Sequence, residues 1–275
     1  MNPRSYLYVP GDQPDKLAKA SSRGADALIA DLEDAVPPAA KQTARSTVAA
    51  YLSGGGRAWV RVNAGAAAED LAAIAGCAGL QGVVVPKAEP ALLSEVDELL
   101  GERPIPVLAM VETARGIRRL DEVAASPRVV RLGIGEADLA GELGLRLDAD
   151  RTQLWPVRLE LVLASAAAGL VPPAGPVETA VRDLGRLRTT TETLLHQGFR
   201  ARTTLTPAQV DVVNSVFTPT TEEIAAARRV VDRLSADAVW IDDDGRFVDA
   251  AVVRTAQDVL ARADAVPGPA GSRRS

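Results

Sequence analysis

Two glycines and two carboxylates follow an apolar run in VVRLGIGEADLAGELG, residues 129–144, before the chain turns helical. Charged and polar residues close four other apolar runs in the same way: Asp31, Glu33 and Asp34; Arg61 and Asn63; Lys87 and Glu89; Glu112 and Thr113. A single acid after a strand is commonly a helix cap or a solvated loop residue. Acids gathered at one mouth repel one another unless a cation and basic residues organise them, so convergence predicts a metal site. Oxygen-only ligation by carboxylates of adjacent strands, with water and substrate filling the remaining positions, suits Mg2+. Glu112 and Asp138 are the expected ligands; Glu136 competes with Asp138, and Gly135 leaves room for a bound ligand. One histidine and one cysteine in the whole chain exclude a zinc site with its normal nitrogen or sulfur donors.

The elements that must position these residues are legible as short, β-branched-rich runs separated by Ala-rich helical stretches, the pattern of repeated βα units. Strands are expected at 6–10, 27–33, 58–63, 82–87, 105–112, 129–135, 175–181 and 200–206. Eight such units predict a (β/α)8 TIM barrel, whose active sites form at the C-terminal ends of the strands. The helix LWPVRLELVLASAAAGL delays the seventh strand and reads as an insertion. The barrel is expected over 1–216 and a C-terminal lid extension over 217–265. The lid begins with a helix whose Thr220 and Glu223 match a capping box, followed by a hairpin around Asp244-Gly245. The Pro/Gly/Ser/Arg-rich tail, 266–275, is expected to be disordered.

A net charge of -5 with scattered Lys and Arg argues against a nucleic-acid footprint. No run approaches the ~20 apolar residues of a membrane span, and the N-terminus lacks a signal-peptide core, so a cytoplasmic protein is expected. Cys77 reads as a small core residue, and His196 as the end of a helix before a capping glycine. SGGGR at 53–57 precedes a strand and reads as a loop, not a phosphate cradle.

The order of SYLYVPGDQPDKLAKA, GADALIADLEDAV, WVRVN, VVVPKAE, VETARGI, GEADLAGELG, TPAQVDVVNSVFTPTTEEIAAARRVV and GRFVDAAVV resembles the citrate lyase beta-subunit-like proteins of the HpcH/HpaI aldolase superfamily, which includes malyl-CoA and citramalyl-CoA lyases. The resemblance spans residues 4 to about 262. It implies a Mg2+-dependent lyase that cleaves or forms a 3-hydroxyacyl thioester, with a 2-oxo acid and an acyl thioester, CoA or a carrier protein, as partners. It implies a homotrimer or hexamer. The family's metal ligands fall on Glu112 and Asp138, its arginine on Arg61, and the acid delivered by a neighbouring subunit's lid on Asp249. Glu33, Asp34 and Lys87 would orient this set, and Asn63, Thr113, Gly135 and Glu136 fall around the substrate or behind the ligands. The chain departs from the family at Thr206, where a histidine is common, at Gln13, where an arginine is usual, and in GEADL for GAEDL. A thioester hydrolase and a non-catalytic binding protein on the same barrel are the alternatives.

Overall fold

The computed structural model describes residues 2–234, 239–241, 245 and 247–264. Eight parallel strands close a barrel in chain order: β1 (Ser5–Pro10), β2 (Ala27–Asp31), β3 (Ala58–Arg61), β4 (Leu80–Val85), β5 (Val107–Val111), β6 (Val129–Ile134), β7 (Val171–Gly175) and β8 (Ala201–Thr204). Between them run α1 (Pro14–Ala20), α2 (Lys41–Ser53), α3 (Ala67–Ile74), α4 (Pro90–Leu100), α5 (Ala114–Arg118), α6 (Leu120–Ala124), α7 (Glu136–Leu143), α8 (Trp155–Ala167) and α9 (Leu184–His196). The predicted (β/α)8 barrel is the observed one. Among the described residues no helix is long and apolar enough to cross a membrane.

Period-two alternation divides each strand between two layers. Inside the barrel, Tyr6, Ala27, Ile29, Trp59, Val84, Leu108, Met110, Ala174 and Ala201 form one buried cluster. Tyr6 meets Trp59 edge-on at 6.0 Å between ring centroids. Trp59 has space because its neighbour in register is Gly82, where a Cβ would fall 2.3 Å from the indole ring. The intervening residues, such as Leu28 and Ala30 of β2 and Leu32 just beyond it, face outward and pack with Leu17 of α1 and Val48 and Leu52 of α2 in the larger cluster between barrel and helices.

The seventh strand lies earlier than the sequence predicts, at Val171–Gly175 in place of 175–181. Pro172 and Pro173 hide it: proline lacks the ladder donor, so VPPAG reads as a loop. Pairing survives through Val171 with Arg131 and Ala174 with Gly133, with a register shift between them. The insertion also differs. Helix α8 packs on β6 and β7 as the regular barrel helix, so the additional element is α7 with its following loop. Gly144, in the left-handed conformation at φ 64°, ends α7.

Pro3–Asn214 forms one compact unit, and the chain from Ser215 belongs to the other. Helix α10 (Pro207–Phe217) follows β8 and runs across this boundary. In the second unit α11 (Thr221–Leu234) packs along α12 (Ala250–Asp264). Thr220 and Glu223 close the predicted capping box: the Thr220 N–H donates to Glu223 Oε2 at 2.7 Å, and the Glu223 N–H to Thr220 Oγ1 at 3.1 Å. The predicted hairpin pairs β9 (Trp240–Ile241) with β10 (Phe247–Val248) antiparallel; Asp244 of its turn and the tail 266–275 lie outside the described residues.

Candidate active site at the mouth of the barrel

A cavity of about 450 Å3 opens at the C-terminal ends of the strands, between Tyr8, Asp31, Arg61, Glu112, Asp138 and Arg151. The alternation that carries Ala27 and Ile29 into the barrel also carries Asp31 inside, leaving its side chain 1% exposed. Arg61, one strand over in register with Asp31, meets it in a two-pronged pair, Nε to Oδ1 at 2.7 Å and NH2 to Oδ2 at 2.6 Å. NH1 of the same guanidinium donates to Asp34 at 3.0 Å. Glu33 Oε2 sits 2.9 Å from that nitrogen without the angle of a hydrogen bond. The ring of Tyr8 lies 4.9 Å from the guanidinium carbon. Burial pulls the pKa of Arg61 down, but Asp31 and the neighbouring acids outweigh it and leave the group raised.

Glu112 stands just beyond β5 and is buried. Its Oε2 accepts from the backbone N–H of Lys87 at 3.1 Å. Burial raises its pKa to about 7; the Lys87 N–H and Arg61 oppose the shift, and Asp138 and Asp34 add to it. Glu33 is likewise pushed to about 7, chiefly by burial, with Arg61 opposing. Asp138, in the first turn of α7, is exposed at the cavity rim. Asp31, Glu33, Asp34, Glu112 and Asp138 are thus gathered around one arginine, an excess of negative charge that a cation would neutralise. Among the described residues no three His, Cys, Asp or Glu side chains converge closely enough to enclose an ion alone. The donors present fit a hard divalent ion held by two carboxylates, with water and substrate oxygens completing its shell.

Several expected site residues sit differently. The room left by Gly135 is filled by the protein itself: a Cβ there would fall 2.4 Å from both Cγ and Oε1 of Glu112. Glu136 lines the cavity, but its carboxylate is engaged on both sides, by Arg151 NH1 at 2.9 Å and Arg158 Nε at 2.6 Å. Lys87 is exposed and reaches Glu112 through its backbone N–H, at φ 47°. Asn63 and Thr113 do not line the cavity. The Asn63 amide donates to Asp70, which pairs with Arg45, and Thr113 caps α5 by accepting from the Gly116 N–H. His196 ends α9 away from the cavity, and Cys77 is half-buried against the core. Asp249 belongs to the second unit, where Oδ1 accepts from the N–H groups of Ala251 at 2.8 Å and Val252 at 3.1 Å and caps α12.

The roles of Asp31, Tyr8, Arg151 and Arg158 were not predicted from sequence. Alternation in ALIAD carried the signal for Asp31; Arg151 and Arg158 carried none, since their partners come from other elements. A second cleft, of about 380 Å3, shares Tyr8 and Leu205 with the first and is lined by Lys16, Lys19, Arg23 and Thr206, whose buried hydroxyl oxygen has no protein partner.

Residues 4–207 match the model of the HpcH/HpaI aldolase/citrate lyase family. The chain belongs to that family. This HpcH/HpaI member is 36% identical over 278 residues to a (3S)-malyl-CoA thioesterase of Cereibacter sphaeroides, covering 96% of this chain and 95% of the relative. It is 35% identical to a citrate lyase subunit beta-like protein of Mycobacterium tuberculosis, covering 94% of each. The family likeness extends to three dimensions. The crystal structure of CitE from Mycobacterium tuberculosis in complex with magnesium, acetoacetate and coenzyme A superposes with a TM-score of 0.82 at 34% identity, over 95% of this chain and 98% of that one.

Proposed function

We propose that the protein is a Mg2+-dependent carbon–carbon lyase acting on a 3-hydroxyacyl thioester of the malyl- or citramalyl-CoA type. The observation that carries this reading is the acid cluster itself: Glu112 and Asp138, which form no ion pair among the described residues, beside an arginine locked by Asp31 and Asp34. Glu112 and Asp138 would hold the ion. Bound there, it supplies Lewis acidity and a template for a 2-oxo acid's carboxylate and adjacent oxygen; the related CitE was crystallised with magnesium and coenzyme A.

The chain's own residues account for the rest. In the cleavage direction the C3 hydroxyl gives its proton to solvent, its oxygen becomes the carbonyl of the 2-oxo acid as the bond between C2 and C3 breaks, and the electron pair of that bond passes to the thioester as an enolate. Arg61, held so that it needs no reorganisation, meets the enolate oxygen. Asp249 gives a proton to the carbon that becomes the acyl methyl, provided a lid delivers it and excludes water. Lys16, Lys19 and Arg23, which line the second cleft with Thr206, support a phosphate-bearing carrier such as CoA. Trp155, Leu159 and Leu163, exposed at four-residue spacing on α8, support assembly into a homotrimer or hexamer.

The second reading, hydrolysis of the same thioesters, is favoured by the near full-length likeness to a malyl-CoA thioesterase. An assay with 3-hydroxyacyl-CoA substrates and Mg2+ separates the two. A 2-oxo acid appearing in step with an intact acyl-CoA supports the lyase. Free thiol appearing without oxo acid makes the protein a hydrolase, and wild-type turnover in excess chelator overturns the metal-dependent chemistry.

A further inference from the structure

Strand β1 sends two tyrosines into the barrel, and their hydroxyls are placed differently. Tyr6 is buried in the inner cluster, where its oxygen accepts from Arg131 NH1 at 2.9 Å. Tyr8, two residues on and on the same face, packs against that cluster and lines the cavity together with Asp31, Arg61 and Glu112. Among the described residues its hydroxyl makes no hydrogen bond. Burial raises the pKa of the phenol; Arg61 opposes the shift, and Asp31, Glu112 and Glu33 add to it. The oxygen therefore keeps its proton at neutral pH and is a donor.

Arg61 has few donors to spare. Its Nε and NH2 donate to Asp31 and its NH1 to Asp34, with Glu33 crowding the last nitrogen. Little of the guanidinium fork is left for a substrate, whereas an oxygen that takes on negative charge is best met by more than one donor. The guanidinium carbon lies 4.9 Å from the centroid of the Tyr8 ring, so arginine and phenol border one space. Resting on the lyase reading above, we propose that Tyr8 is a catalytic residue whose hydroxyl donates a hydrogen bond to the thioester oxygen that becomes the enolate oxygen. With Arg61 it completes a two-donor oxyanion site. The phenol transfers no proton; its bond strengthens as the electron pair of the breaking C2–C3 bond moves onto the oxygen, and it is in place beforehand. Tyr8 and Leu205 also border the second cleft, so a carrier held beside Lys16, Lys19 and Arg23 brings its thioester past Tyr8 on the way to the metal end.

Tyr8→Phe removes the oxygen and keeps the ring against Arg61, so the variant is expected to fold as the wild type does. With 3-hydroxyacyl-CoA substrates and Mg2+ its kcat should fall about a hundredfold, the scale of one lost oxyanion donor, while KM changes little. The second readout is the infrared carbonyl band of acetyl-CoA, isotopically labelled at that carbonyl and bound to the Mg2+-loaded full chain. A donor lowers the band's frequency, so Tyr8→Phe should raise it from the wild-type position. Tyr6→Phe, which removes the oxygen that Arg131 meets, should lower the melting temperature and leave the band unmoved. Wild-type kcat in Tyr8→Phe, or a lower kcat with an unmoved band, overturns the assignment while leaving the lyase reading standing. A wild type that releases no 2-oxo acid overturns the lyase reading, and the band then decides by itself whether the hydroxyl meets the thioester oxygen.

Discussion

Gly135 and Glu112 are mutually exclusive claims on one volume: a methyl at position 135 would lie 2.4 Å from the carboxylate oxygen Oε1. The glycine beside the acids thus clears space for the Glu112 side chain from the end of the adjacent strand, the carboxylate proposed to hold the ion. Gly135→Ala is expected to retain the fold, because the clash is with the Glu112 side chain and not with backbone, and to weaken Mg2+ binding at least about tenfold by turning that carboxylate away. Calorimetric titration beside circular dichroism checks it; wild-type affinity in the variant would remove the glycine from the account.

Glu112 sets the pH dependence. Burial raises its pKa from 4.5 to about 7 in the folded protein. The metal-free fold therefore holds a proton that the unfolded chain has lost between these values, and the resulting stabilisation falls away as pH rises through that window. Mg2+ must displace the proton, so its affinity should increase by about tenfold per pH unit up to about pH 7 and then level off. Binding heats in buffers of different ionisation enthalpy should reveal proton release below pH 7, and a pH-independent affinity would contradict it.

Removing Arg61 leaves Asp31 as a buried charge without its two-pronged partner. Arg61→Met is expected to lose about 3–5 kcal/mol of stability as well as activity. Arg61→Lys should recover part of the stability but little turnover, because an ammonium cannot reproduce the fork that meets both Asp31 oxygens. Urea denaturation and initial rates report the two effects separately.

Glu136 and Asp138, two residues apart, should respond in opposite ways. Glu136→Gln breaks buried pairs with Arg151 and Arg158, so melting temperature should drop while Mg2+ affinity changes little. Asp138→Asn, at an exposed position, should leave the melting temperature unchanged and lose the metal. Reversed outcomes would make Glu136 the ligand.

Asp249 caps α12 in the second unit. Asparagine caps a helix as well as aspartate does, so Asp249→Asn should keep helix content and Mg2+ binding yet lose turnover, whereas Asp249→Ala should also cost about 1 kcal/mol. An Asn variant of undiminished rate removes the acid from the proton transfer.

Seven of the eight strands, the acids that close several of them and the capping box at Thr220 were legible in the sequence, because alternation and capping are local: each residue's facing follows from its near neighbours. The same alternation would have put Asp31 inside the barrel had it been carried to the end of β2. The seventh strand was not legible because its prolines suppress the local signal and only pairing with β6 and β8 makes VPPAG extended. Tertiary structure alone decided which charges meet. Arg151 and Arg158 reach Glu136 only after the chain has looped back from α7 to α8, and Arg202 reaches Glu178 only because β8 lies beside β7. Strand facing is a property of consecutive residues, but an ion pair belongs to whichever elements barrel closure brings together. That is why the sequence could nominate carboxylates, and only the closed barrel shows which are neutralised and which remain for a cation.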